Sequence, residues 1–209
     1  MKHETTNGAV GKHKPYGPYE KFFKRPLDII CGVAALLVFW WLYIIVAVLV
    51  RIKLGSPVIF KQERPGRDEK IFCLYKFRTM TDERDENGEL LPDGIRLTKF
   101  GKRLRATSLD ELPQLWNVFI GDMAFIGPRP ERKFYIDQII EHDSRYTYLY
   151  QIRPGVTSYA TLYNGYTDTM EKMLRRLELD LYYLEHRSWW FDSKILVKTF
   201  INIVSGKKF

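Results

Sequence analysis

The chain has 209 residues, 45% hydrophobic and 15% aromatic, which is enough to bury a core and excludes a wholly disordered chain. Its 33 Lys and Arg exceed 25 Asp and Glu, and the formal charge of +8 points to anionic partners: phosphates, nucleic acid or an acidic lipid surface. Two separated cysteines, Cys31 and Cys73, and four scattered histidines exclude a disulfide framework and any His or Cys metal site, and fit a reducing, cytosol-facing setting.

Residues 1–20 begin as a polar stretch with Gly and Pro and read as a flexible tail. Residues 21–53 read as a membrane anchor. Within them, 29–50 form 22 consecutive uncharged residues, about 33 Å as a helix and long enough to cross a bilayer. The run is too long for a signal-peptide core and too apolar all round for the core helix of a soluble domain. Lys21, Lys24 and Arg25 precede it, and Arg51 and Lys53 follow it, so the charge rule places both ends in the cytoplasm. That favours a re-entrant hairpin over a span, with arms of about 16 Å turning near Trp40 and Trp41. No Pro, Ser or Thr lies in the run to make the break.

Residues 54–209 read as one compact α+β domain. Stretches 57–62 and 70–77, rich in Val, Ile, Phe and Tyr, flank a Pro-Gly turn and predict a β-hairpin. Residues 81–94 form an acidic loop, and helical patterns cover 97–105, 110–119, 132–142, 169–185 and 192–204. An aromatic cluster, Tyr182, Tyr183, Trp189, Trp190 and Phe191, suits either a bilayer interface or a core.

The chemistry gathers in 104–130. Ser108 and Glu111 have capping-box spacing, which sets Asp110 and Glu111 at a helix start, where the dipole keeps both carboxylates ionised and helps to place a phosphate. Two acids beside a diphosphate need a cation, which implies Mg²⁺ held by Asp110 and Glu111. Pro128 and Pro130 stiffen a loop presenting Arg129, and Arg153 opens a similar Pro-Gly turn. Lys76 and Arg78 end the second strand. With Arg105, these cations form a candidate phosphate-binding set, and no Gly-rich phosphate loop competes with it. A membrane-tethered basic binding module would explain the charge and the anchor but not the acid pair beside rigid Arg loops, and nucleic acid is not an expected partner.

Several segments together resemble the bacterial sugar transferases, the small monotopic phosphoglycosyl transferases: KRPLD (24–28), FKQERPG (60–66), YKFRTM (75–80), LRATSLDELPQLWNV (104–118), GDMAFIGPRP (121–130) and RPGVT (153–157). The resemblance runs from about Lys21 to the C-terminus. It implies transfer of a sugar 1-phosphate from a UDP-sugar to polyprenyl (undecaprenyl) phosphate through a covalent aspartyl intermediate. UMP would be released in this first membrane step of glycan or exopolysaccharide assembly. It makes Asp110 the nucleophile and Glu111 a metal partner or acid/base, with nucleotide-sugar contacts from Lys76, Arg105, Pro128, Arg129 and Pro130. It further implies a bacterial inner membrane location with the domain facing the cytoplasm, and downstream glycosyltransferases as partners. Two places depart from the family pattern: Trp40-Trp41 stands where Ser-Pro is usual, and SYATLYNG (158–165) replaces a run ending in Gln-Val-Asn-Gly.

Overall fold

The computed structural model describes residues 17–165 and 167–205. Most of the expected tail lies outside the described residues, but its last part is built into the fold. A π-helical turn, Tyr19–Lys24, leads directly into α1 (Arg25–Leu54). Pro26 sits where the π-helical turn gives way to α1, and Gly55 at φ 83° closes the far end.

The expected break at Trp40-Trp41 is absent. Helical backbone continues through both residues, so the two-armed hairpin gives way to one helix. The reason is chemical: a bend would free backbone groups, and no Pro, Ser or Thr is present to cause it or to satisfy them. From Tyr19 to Leu54 the segment is long and apolar enough to cross a membrane.

Both ends of α1 nevertheless dock on the domain that follows. The KRPLD motif makes the first contact. Lys24 pairs with Asp192, Arg25 donates to the carbonyls of Val118 and Phe119 at 2.6 and 2.9 Å, and Asp28 accepts from the Phe125 amide at 3.1 Å. Glu20 and Arg187 form a buried pair at 2.6 Å beside them. Gly32 passes close to Val118 and Phe125. At the other end, Val46, Val50 and Leu54 join Phe77 and Leu104 in a buried cluster. Between these docks, Leu37, Trp40, Trp41, Ile44 and Val48 are exposed.

The hairpin forms as expected. Strand β1 (Ile59–Pro65) pairs antiparallel with β2 (Ile71–Phe77), from Ile59 opposite Phe77 to Pro65 opposite Ile71. After the acidic loop come two short helices, α2 (Asp93–Arg96) and α3 (Lys99–Ala106), the latter capped by the Thr98 hydroxyl accepting from the Gly101 amide. Then follow α4 (Gln114–Ile120), β3 (Ala124–Ile126), α5 (Lys133–His142), a 3₁₀ stretch Ser144–Gln151, β4 (Gly155–Thr157), α6 (Tyr159–Asn164), α7 (Met170–His186) and α8 (Trp189–Val204).

Helices α2 and α6, the 3₁₀ stretch and both short strands are unanticipated. Strands β3 and β4 pair in parallel, which sets the GPRP loop beside the RPGVT turn. The main core lies beneath them, where Ile126, Ile136, Ile139, Leu149 and Ile152 meet Leu177, Leu181 and Leu184 at helical spacing along α7. The aromatic cluster divides between its two readings: Tyr183 is fully buried, while Trp189 and Trp190 are exposed.

Candidate active site

The acid pair sits on a tight turn, not at the start of a regular helix. Residues Leu109–Glu111 form one 3₁₀ turn, and Pro113 caps the separate helix α4. The capping box does not form, because Ser108 adopts a left-handed conformation, φ 55°, and makes no side-chain cap bond. A non-glycine residue held there stores strain, here two residues from Asp110.

Glu111 is drawn elsewhere. Its Oε1 accepts from Lys76 Nζ at 2.7 Å, reaching across from β2, and from Arg129 Nη2 at 2.8 Å, reaching from the Pro128–Pro130 loop. Burial alone would raise this carboxyl, but the charges of Arg129 and Lys76 and their hydrogen bonds outweigh it and hold Glu111 at about 2. Asp110 behaves oppositely. It is buried, no side chain among the described residues donates a hydrogen bond to it, and burial together with the neighbouring Glu111 charge pushes its carboxyl above the usual range. Lys76, Arg105 and Arg129 oppose that rise. Burial and neighbouring cations, not the dipole of a regular helix, set the two acids apart.

Five of the expected residues, Lys76, Arg105, Asp110, Glu111 and Arg129, thus act on one another. Arg105 is held by Thr79 Oγ1 at 3.1 Å. Pro128 and Pro130 hold the loop between them, and the Pro128 carbonyl accepts from the Gly155 amide at 2.8 Å.

Arg78 and Arg153 are not brought to the acid pair. Arg78 is buried and committed to the carbonyls of Met80 and Ser56 and to Asp82. Arg153 donates to the Gly121 carbonyl at 2.7 Å and lines a small cavity with Arg25 and Asp28, at the dock of α1. A cation at the end of an element also bonds nearby backbone carbonyls, and here carbonyls take up both guanidinium groups.

Sequence reasoning passed over Asn117. Fully buried on α4, it accepts from the Tyr75 amide at 3.1 Å and donates to the Cys73 carbonyl at 2.7 Å. Its own carbonyl receives the amides of Gly121, Asp122 and Met123. It thereby joins the acid-bearing segment to the strand carrying Lys76. An Asn inside the apolar run LPQLWNVF was the one available signal.

Among the described residues no group of three or more His, Cys, Asp or Glu side chains could enclose a metal ion. One oxygen of Glu111 is already taken by two cations. What remains, Asp110 and the second oxygen of Glu111, fits a divalent ion only if a ligand supplies the other donors, the manner in which Mg²⁺ is usually shared with substrate phosphates.

Comparisons with known proteins place the chain in a family. A model of the bacterial sugar transferase family matches residues 19–206, and the chain belongs to that family. It is 43% identical to the uncharacterized sugar transferase EpsL of Bacillus subtilis (strain 168), over 84% of each chain. It is 37% identical to a UDP-N-acetylgalactosamine-undecaprenyl-phosphate N-acetylgalactosaminephosphotransferase of Aeromonas hydrophila, over 90% of this chain and 45% of the relative. With a UDP-glucose:undecaprenyl-phosphate glucose-1-phosphate transferase of Klebsiella pneumoniae it shares 39% identity, over 88% of this chain and 41% of the relative. The chain therefore spans less than half of the length of each of these last two relatives. The protein is a membrane-associated transferase.

Proposed function

We propose that the protein transfers a sugar 1-phosphate from a UDP-sugar to undecaprenyl phosphate at the cytoplasmic face of a bacterial inner membrane. The observation that carries this reading is the convergence of Lys76, Arg105 and Arg129 on Asp110 and Glu111, beside an apolar helix suited to lipid.

Each side chain has a task. Asp110, free of side-chain partners, attacks the sugar-bearing phosphorus with a carboxylate oxygen; a new O–P bond forms, the diphosphate bridge breaks, and UMP departs with the electron pair. An oxygen of undecaprenyl phosphate then attacks the same phosphorus and returns Asp110 as a carboxylate. One hard displacement becomes two easier ones. Lys76, Arg105 and Arg129 neutralise charge on the phosphoryl oxygens, with Glu111 fixing the first and last of them in place. Mg²⁺, where bound between the donor diphosphate and the acid pair, would further offset that charge.

Asp110→Asn keeps the shape and removes the nucleophile. UMP release from a UDP-sugar should fall by orders of magnitude, with melting close to wild type. Normal turnover in that variant would overturn the mechanism, and a panel of UDP-sugars assayed with undecaprenyl phosphate and Mg²⁺ would name the sugar.

A further inference from the structure

Behind the Pro128–Pro130 loop lies a second set of charges that the reaction scheme does not use. Glu131, the residue after the loop, accepts from Arg176 Nη1 at 2.5 Å. Arg176 lies on α7 with 8% of its surface exposed, and its Nη2 donates to the carbonyl of Gly165 at 3.0 Å. One guanidinium therefore clamps chain segments 45 and 11 residues away. The first runs directly into Arg129. The second closes α6, the SYATLYNG segment in which this chain departs from its family pattern.

Stability alone does not account for this pair. Two charges removed from water repay their desolvation only when every donor and acceptor is satisfied, and apolar residues of the same volume often stabilise a fold as well or better. Here Arg176 Nε and, one helical turn further, Asp180 Oδ1 are buried without a hydrogen-bond partner. What the pair does supply is direction. Arg129 is hydrogen-bonded to Glu111 and also feels the charge of Glu131, two residues on in the chain, so the carboxylate that Arg176 holds bears on how the Arg129 fork meets the acid pair.

We propose that Arg176 and Glu131 are positioning residues for donor binding: the Arg176 fork locks the Pro128–Pro130 loop to the end of α6, and so fixes the orientation in which Arg129 meets Glu111 and the donor diphosphate. The inference rests on the transferase reading above. It assigns neither residue a contact with the reacting atoms.

The test uses full-length protein in lipid nanodiscs, with initial rates of UMP release measured against the UDP-sugar and undecaprenyl phosphate separately. Glu131→Gln is isosteric, and Arg176→Lys keeps the charge but cannot reach Glu131 and Gly165 together. Each should raise the KM for the UDP-sugar about tenfold and leave the KM for undecaprenyl phosphate within about twofold, with melting near wild type. The double variant should be no worse than the worse single one, because both remove one clamp. Arg145→Ala, which breaks the Arg145–Glu178 pair on the exposed side of α7, should change neither KM.

Correctly folded variants with a wild-type donor KM would overturn the proposal, as would a parallel rise in both KM values, the mark of general loosening. If Arg176→Lys fails to fold, the milder Glu131→Gln decides on the same criteria. A wild-type protein that releases no UMP from any UDP-sugar refutes the transferase reading and this inference with it, whereas active wild type with unaltered variants refutes only the clamp.

Discussion

Asp110 and Glu111 are adjacent in sequence, yet their surroundings make them different groups. Lys76 and Arg129 fix Glu111 as a permanent anion, while Asp110 keeps its oxygens free of side-chain donors and its affinity for a proton raised. Arg129 matters here as a fork, since one arm is spent on Glu111 and the others remain for a phosphate. Arg129→Lys should retain the ion pair but lower kcat/KM for the UDP-sugar by about 10- to 100-fold, and an unchanged value would reduce the loop to a structural element. A third acid, Asp180 on α7, gives a pH prediction. Burial pushes its carboxyl up to about 8, with Glu131 adding to the rise and the opposite charges of Arg176 and Arg129 limiting it; the Tyr146 ring also faces it. Between about pH 4 and 8 the folded protein keeps a proton that the unfolded chain has lost, so this group makes stability fall as pH rises, by up to about 1.4 kcal/mol per pH unit. Asp180→Asn mimics the protonated form. Thermal melts at pH 5.5 and 8 should show a smaller loss for the variant than for wild type, and equal losses would place the titration elsewhere.

At the scale of elements, the site depends on a close backbone approach where β3 ends and β4 begins. A Cβ on Gly127, just after β3, would lie 2.3 Å from the Arg153 carbonyl oxygen, and one on Gly155, the first residue of β4, would lie 2.1 Å from the Gly127 amide nitrogen, so these two positions tolerate only glycine. Gly155→Ala should therefore cost about 3 kcal/mol or more and displace Arg129, because the Gly155 amide holds the Pro128 carbonyl. A variant that melts and turns over like wild type would refute this. The same strands mark the limit of what the sequence reveals. The hairpin and the longer helices were legible because apolar periodicity is local: Leu177, Leu181 and Leu184 announce the buried face of α7 from spacing alone. Strands of three residues, AFI just before GPRP and GVT within RPGVT, look like parts of turns, and only their pairing across the chain makes them a sheet. The capping-box spacing of Ser108 and Glu111 could not show that Glu111 pairs instead with Lys76 and Arg129, which are far away in sequence. Arg78 and Arg153 were misread because a local pattern cannot say which carbonyl will claim a guanidinium. The gathering of Lys76, Arg105 and Arg129 around the acid pair could be anticipated, since none of the three had a local acid to pair with.

At the scale of the whole molecule, the architecture of α1 constrains how the protein meets a bilayer. The helix is continuous, as a span would be, yet Arg25 and Asp28 near its start and Val46, Val50 and Leu54 near its end are all bonded or packed to the same domain. Crossing the bilayer would strip one of these docks away. Releasing the C-terminal dock would expose three buried aliphatic side chains at about 1.5–3 kcal/mol each, and releasing the N-terminal one would break the hydrogen bonds of Arg25 and Asp28 to the domain. The basic flanks agree, since export of Lys21, Lys24 and Arg25 opposes the charge rule. Both ends of α1 are therefore expected on the cytoplasmic side, with Leu37, Trp40, Ile44 and Val48 turned to lipid. The same topology is thus expected of an unbroken helix as of a hairpin. In a Cys31→Ser, Cys73→Ser background, single cysteines introduced as Lys21→Cys and Lys53→Cys occupy exposed positions flanking the apolar run. Treated in intact cells with a membrane-impermeant maleimide, both should stay unlabelled until the membrane is permeabilised and then react at similar rates. Labelling of either one from outside would mean that α1 crosses the bilayer and that the dock at that end has opened.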